Sequence, residues 1–178
     1  MRKVVVYELM SLDGVVEAPD GFITEWDNEM DANLATVIEG QDAVILGRRS
    51  YNEWARYWPQ SDIQPFSNFI NNATKYVATS EAIDFEWANT TAIDGELVEF
   101  VRNLKRRPGG DIGVHASISV AHTLFRAGIV DELHLVIAPQ IVGAGRKLLD
   151  GLPAIRLALI KSSISPTGHL LLAYAVIH

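Results

Sequence analysis

The chain has 178 residues, 48% of them hydrophobic, which suits one compact domain over residues 1–178 with a sizeable core. Its formal net charge of −7 argues against a nucleic-acid surface, and the absence of cysteine excludes disulfides, Cys-ligated zinc and thiol catalysis. No run approaches the roughly 20 apolar residues that span a bilayer, and the apolar run in "MRKVVVYELM" is too short for a signal peptide, so a cytoplasmic location with no membrane partner is expected.

In chain order, "KVVVYELM" (3–10) reads as a buried strand, rich in β-branched residues. "SLDGVVEAPDGFITEW" (11–26) carries Asp-Gly turns and a proline and reads as a long loop, the kind that tends to carry function. "DNEMDANLATVIEG" (27–40) places Met30, Leu34, Val37 and Ile38 at helical spacing, with acids in its first turn and Gly40 as its stop. "DAVILG" (42–47) is a second buried strand, followed by a helix from about Arg48 to Tyr57 that ends near Pro59. "TKYVATS" (74–80) and "WANTTAI" (87–93) are further strands.

An amphipathic helix follows over 94–110, with Leu97, Phe100, Val101 and Leu104 on one face. Its last turn carries Lys105, Arg106 and Arg107, which complement the helix dipole as a solvated cluster. "DIGVH" (111–115) is a strand, and 117–128 a helix with Ser117 as N-cap and Gly128 as its stop. "VDELHLVIAP" (130–139) is the next strand, and the tail from about Ile155 to Ile177 is a hairpin turning at "SPTGH". Alternation of β and α up to about residue 139, then an antiparallel pair, predicts a three-layer α/β domain with a mixed, mainly parallel sheet.

In such sheets ligands sit beyond the carboxyl ends of the strands. Two strand-to-helix turns there have the character of phosphate sites. Gly47-Arg48-Arg49-Ser50 combines close backbone approach with two guanidiniums and a hydroxyl, and the junction around Ala116, Ser117 and Ser119 presents only small residues. Solvated arginines paired with nearby acids, and an ordinary capped helix, are the plainer alternatives. Neither G-x-G-x-x-G nor the P-loop pattern is present, and no histidine pair has metal-ligand spacing.

Four ordered stretches then carry a resemblance: "ELMSLDGVV" (8–16), "DAVILGRRSYNEWARYWP" (42–59), "GGDIGVHASISVAHTLFRAGIVDELHLVIAPQIVGAGRKLL" (109–149) and the closing hairpin. Together they resemble the dihydrofolate reductase-like superfamily, specifically the reductase domain of riboflavin biosynthesis and its stand-alone relatives. The resemblance implies the dihydrofolate reductase-like fold and NADPH-dependent hydride transfer to a small pyrimidine- or pterin-like heterocycle. It implies that Gly47, Arg48, Arg49 and Ser50 hold the adenosine 2′-phosphate and diphosphate, with Thr79 and Ser80 flanking the adenosine. His115, Ala116, Ser117 and Ile118 would cover the diphosphate and nicotinamide ribose, with Met10 on the nicotinamide face.

Asp13 is the candidate acid, against a simple role capping the turn before Gly14. Trp26, Tyr51 and Trp54 are candidate substrate-pocket residues, since flat rings suit a planar heterocycle, and the resemblance implies that Ser11 joins them from the loop along the nicotinamide face. Two departures from the family pattern stand out. Ala116-Ser117 replaces a Gly-Ser or Gly-Gly pair, and Glu81 stands where relatives carry a basic residue, which would repel a 2′-phosphate. A non-catalytic NADPH- or nucleotide-binding protein on the same fold is the competing reading. A homodimer is expected from the apolar strands at 130–139 and "LLLAYAVI" (170–177), which leave an edge to be covered; the resemblance places it in this C-terminal half.

Overall fold

The computed structural model describes residues 1–178. Its centre is β1 (Val4–Ser11), buried along nearly its whole length, as befits a strand covered on both faces. Because side chains alternate across a strand, β1 feeds two separate cores. Val4, Val6 and Met10 pack with Val101 and Leu104 of α4 (Leu97–Arg106) and with Leu124 and Phe125 of α5 (Ile118–Arg126). Tyr7 packs on the other face with Met30, Leu34 and Ile38 of α1 (Asn28–Glu39), Tyr51 of α2 (Arg48–Tyr57) and Phe66 and Ile70 of α3 (Phe66–Asn72).

The remaining strands are β2 (Gln41–Gly47), β3 (Thr74–Ala78), β4 (Thr90–Ala92), β5 (Asp111–His115), β6 (Glu132–Ala138), β7 (Arg156–Ile164) and β8 (Leu170–Ile177). They form one eight-stranded sheet in the order β4-β3-β2-β5-β1-β6-β8-β7. The pairs from β4 through β6 are parallel, whereas β8 runs antiparallel to both β6 and β7. The carboxyl ends of β1, β2 and β5 therefore lie side by side, and α2 and α5 start from two of them.

Helix α1 starts where the sequence says it should: the Asp27 side chain accepts hydrogen bonds from the Glu29 and Met30 amides, both at 3.0 Å. Elsewhere the boundaries move for local reasons. The strand expected over 87–93 begins only at Thr90, because Asn89 sits at φ +58° and breaks the extended run. Helix α4 stops at Arg106, since Arg107 precedes a proline and is extended. Helix α3 was not expected, being seven residues with three asparagines and only Phe66, Phe69 and Ile70 apolar. The basic cluster is not wholly solvated, because Lys105 donates to Asp131 at 2.5 Å and to the Ile129 carbonyl at 3.2 Å.

The expected apolar edge is also displaced. Strand β6, from the 130–139 stretch, lies inside the sheet between β1 and β8, and β8 is itself covered by β7. The outer strand on this side of the sheet is β7, exposed at eight of its nine residues.

Candidate functional site

The two expected phosphate turns meet at the strand ends as neighbours. The Gly47 amide donates to Ser117 Oγ at 3.0 Å, and Ser50 Oγ donates to the Ala116 carbonyl at 2.8 Å. Two serines thus tie the start of α2 to the start of α5. Ser117 is not the N-cap of its own helix as expected, because its hydroxyl is engaged across the junction and makes no capping bond. Helix α2 likewise begins without a side-chain cap. First-turn amides at both helices are left to other acceptors, and aligned peptide dipoles favour an anion there.

The residues flanking these turns are strained or engaged. Ala116 is exposed and sits at φ +52°, the left-handed region that costs an alanine about 1–2 kcal/mol and that a glycine would adopt without strain. Gly47 has ordinary extended backbone, and a Cβ there would meet only Val120 and Ser117 at 3.6 and 3.9 Å, so neither strain nor crowding within the chain requires it. Arg48 pairs with Glu81 through Nη1 and with Asp84 through Nη2 at 2.9 Å. Arg49 reaches Glu53 at 3.2 Å and Glu17 at 3.7 Å. Thr79 Oγ1 lies 3.1 Å from the Glu81 amide and 3.0 Å from its carbonyl, which fixes the turn that carries Glu81 to Arg48; Ser80 is exposed beside it.

Other expected site residues are placed differently. Asp13 accepts hydrogen bonds from the Val142 amide at 3.0 Å, Ser11 Oγ at 2.7 Å and the Gly143 amide at 2.8 Å. These donors hold its carboxyl well below the usual carboxylate range, so it stays ionised and cannot supply a proton as the expected acid. Ser11 is fully buried and also accepts from the Val15 amide at 2.9 Å, making it an organiser of this loop rather than a pocket wall. The loop is further laced to 140–148 through Leu12 to Gln140, Val16 to Arg146 and Leu148 to Gly14.

Met10 and Ile118 turn their side chains into the α4–α5 core, so only their backbones face the strand ends. His115 is buried against Tyr7, Phe66 and Phe69, with Nε2 2.8 Å from Gln41 Oε1. Burial first, and the His134 charge second, push its pKa down to about 3, so its imidazole is neutral within the core.

The aromatic residues divide. Tyr51 is 1% exposed, donates to the Phe85 carbonyl at 2.6 Å and packs 6.0 Å from Trp87, which makes it core rather than pocket. Trp54 is half-buried with Trp58 and Phe66 at 5.9 and 5.4 Å. Trp26 is exposed and donates from Nε1 to Asp31 at 2.7 Å. The hydroxyl of Tyr7 and the Nε1 of Trp58 are buried without partners on this same face. Sequence reading did not single out Tyr7, Glu8 or Asp84; a tyrosine and a glutamate inside an otherwise apolar buried strand were the available signal for the first two.

Comparison with known proteins agrees with this geometry. Residues 2–171 match the RibD C-terminal domain family. The chain is 26% identical over 180 residues to the uncharacterized protein YyaP of Bacillus subtilis, covering 97% of this chain and 94% of that one. A structure from Shewanella sp. PV-4, named for riboflavin biosynthesis, superposes with a TM-score of 0.80 at 16% identity, covering 99% of both chains. Dihydrofolate reductase from Enterococcus faecalis, solved with NADP(H), superposes with a TM-score of 0.64 at 14% identity, covering 99% of this chain and 97% of that one. The chain belongs to the RibD C-terminal domain family and has the mixed-sheet fold of the dihydrofolate reductase-like proteins.

Proposed function

We propose that this chain is a reductase that takes a hydride from a nicotinamide dinucleotide, NADPH by the family resemblance, and reduces a small pyrimidine- or pterin-like heterocycle. The observation that carries the reading is the pair of helix N-termini without side-chain caps, α2 and α5, tied together by Ser50 and Ser117 at adjacent strand ends. This arrangement fits a dinucleotide's diphosphate, since two sets of first-turn amides converge there and no acidic residue occupies the first turn of either helix. The bound cofactor supplies the hydride, and the chain supplies position. Gly47 to Ser50 and Ala116 to Ser119 frame the diphosphate. Arg48 and Arg49 stand toward the adenosine end, beside Thr79 and Ser80. Trp26 and Trp54 offer flat surfaces to the heterocycle.

A turnover screen that follows absorbance at the nicotinamide band against uracils and pterins tests this. Consumption with at least one of them is expected. A second reading, a nucleotide-binding protein without turnover, is favoured by one observation: Asp13 is held as a fully hydrogen-bonded carboxylate and offers no proton. Dinucleotide binding with no consumption across the panel would support that reading over the first.

The β7 edge supports a homodimer. Leu159, Ile160 and Ile164 are 58%, 53% and 68% exposed on an edge strand paired on one side only, a combination that calls for covering. Leu171 and Ala173, at 2% and 7% exposure, are core and take no part. Light scattering should give twice the 19.6 kDa of one chain, and Leu159→Asp should halve it. A wild-type mass near 19.6 kDa would contradict the dimer.

A further inference from the structure

We infer that the first junction selects a dinucleotide with a free adenosine ribose, NADH, over one that carries a 2′-phosphate. The inference rests on the proposed reductase reading and departs from the cofactor that the family resemblance implies.

Two guanidiniums stand at this junction, and both are already engaged. Arg48 faces Glu81 through one terminal nitrogen and Asp84 through the other at 2.9 Å. Arg49 faces Glu53 and Glu17 at 3.2 and 3.7 Å. Each of the two guanidiniums thus already has two carboxylate partners, and Arg56 acts on Asp84 as well. The hydrogen bond and charge of Arg48 hold the Asp84 carboxyl below its ordinary range, so it is ionised at neutral pH. Asn52 Nδ2 lies 3.4 Å from the same carboxylate oxygen, and the Thr79 turn holds Glu81 in place on the other side.

A phosphate monoester brings roughly −1.5 to −2 charges at neutral pH. To reach Arg48 it must displace a carboxylate and then sit beside it. Glu81 and Asp84 are 68% and 48% exposed, so the ion pairs themselves are weak. The discrimination comes from repulsion of the wrong ligand more than from the strength of the pairs. A ribose diol has the opposite character, because its hydroxyls donate and a carboxylate accepts them. An acidic residue on the adenosine ribose is the general device by which a site reads a dinucleotide without the extra phosphate.

Calorimetric titration with NADH, NADPH, 5′-AMP and 2′,5′-ADP tests this without any need for turnover. The wild-type chain should bind NADH more tightly than NADPH, and 5′-AMP more tightly than 2′,5′-ADP. The double variant Glu81→Gln/Asp84→Asn should tighten NADPH and 2′,5′-ADP by about tenfold and weaken NADH and 5′-AMP, because the diol loses its charged acceptors, so that the preference inverts. Tighter binding of NADPH than NADH by the wild type would overturn the inference and leave the reductase reading standing. Failure of both dinucleotides to bind would remove that reading, and the cofactor choice with it.

Discussion

Carboxyl groups stand near both of the strand-to-helix junctions, in contrasting surroundings. At the first, Glu81 and Asp84 are exposed beside Arg48, and Asp84 is held firmly ionised. At the level of the second lies Glu8, one residue beyond the Tyr7–His115 pairing of β1 and β5. It is 4% exposed, its Oε1 has no partner, and burial pushes its pKa up to about 8. Solvation and neighbours, not residue type, decide which carboxyl is a charge. The first junction can therefore discriminate by its carboxylates, whereas at the second the carboxyl is neutral and the Arg146 guanidinium donates to Ser119 Oγ at 3.2 Å.

The largest expected effect breaks this comparison at Glu8. Its folded pKa lies above the unfolded one, so its contribution to stability is complete below about pH 4.5 and is lost as pH rises through about 8. Linkage puts that loss at roughly 3 kcal/mol by pH 7. Glu8→Gln keeps the shape and the donor of the neutral acid but cannot ionise. Urea unfolding at pH 5 and pH 8 should show the variant gaining on the wild type as pH rises, and an equal difference at both would show that Glu8 does not titrate with folding.

Next in size is the backbone of the second junction. Ala116→Val places a β-branched residue at φ +52° and should cost about 2 kcal/mol of stability. Ala116→Gly should relieve strain and gain up to about 1 kcal/mol, less the entropy that glycine adds to the unfolded chain. Thermal unfolding of the pair checks both signs; equal effects would mean that the left-handed geometry carries no strain.

The smallest effect separates the two arginines of the first junction. Arg48→Ala removes the cation that neutralises Glu81 and Asp84, and should weaken dinucleotide binding by about 1.5 kcal/mol, or tenfold. The Arg49 side chain is 71% exposed, and Arg49→Ala should change affinity by no more than about threefold. Calorimetry that found the two variants alike would show that position at the helix N-terminus, and not the local pairing, sets their roles.

Most of the architecture was legible because periodicity and punctuation agreed. The β-branched run at 4–6 and the Gly40 stop each had one simple structural reading, and each holds. What was hidden depended on contacts distant in sequence. Nothing near Ser117 announces that its hydroxyl would serve Gly47, 70 residues away, in place of its own helix. Asp13 read as a candidate acid because two of its donors, the Val142 and Gly143 amides, arrive from 129 and 130 residues away. Tyr51 and His115 carry chemistry in their side chains, yet strand and helix register turned both toward the core. By contrast, Glu81 was visible as a departure from the family pattern, and the structure adds its target, Arg48.

The central claim is that both junctions hold one dinucleotide, and hydrogen exchange of the amides at 47–51 and 116–121 with and without saturating NADH tests it most directly. Slowed exchange at both segments together, with the capped start of α1 at 28–31 unchanged, is the predicted result. Protection at one junction alone, or at neither, would contradict the account.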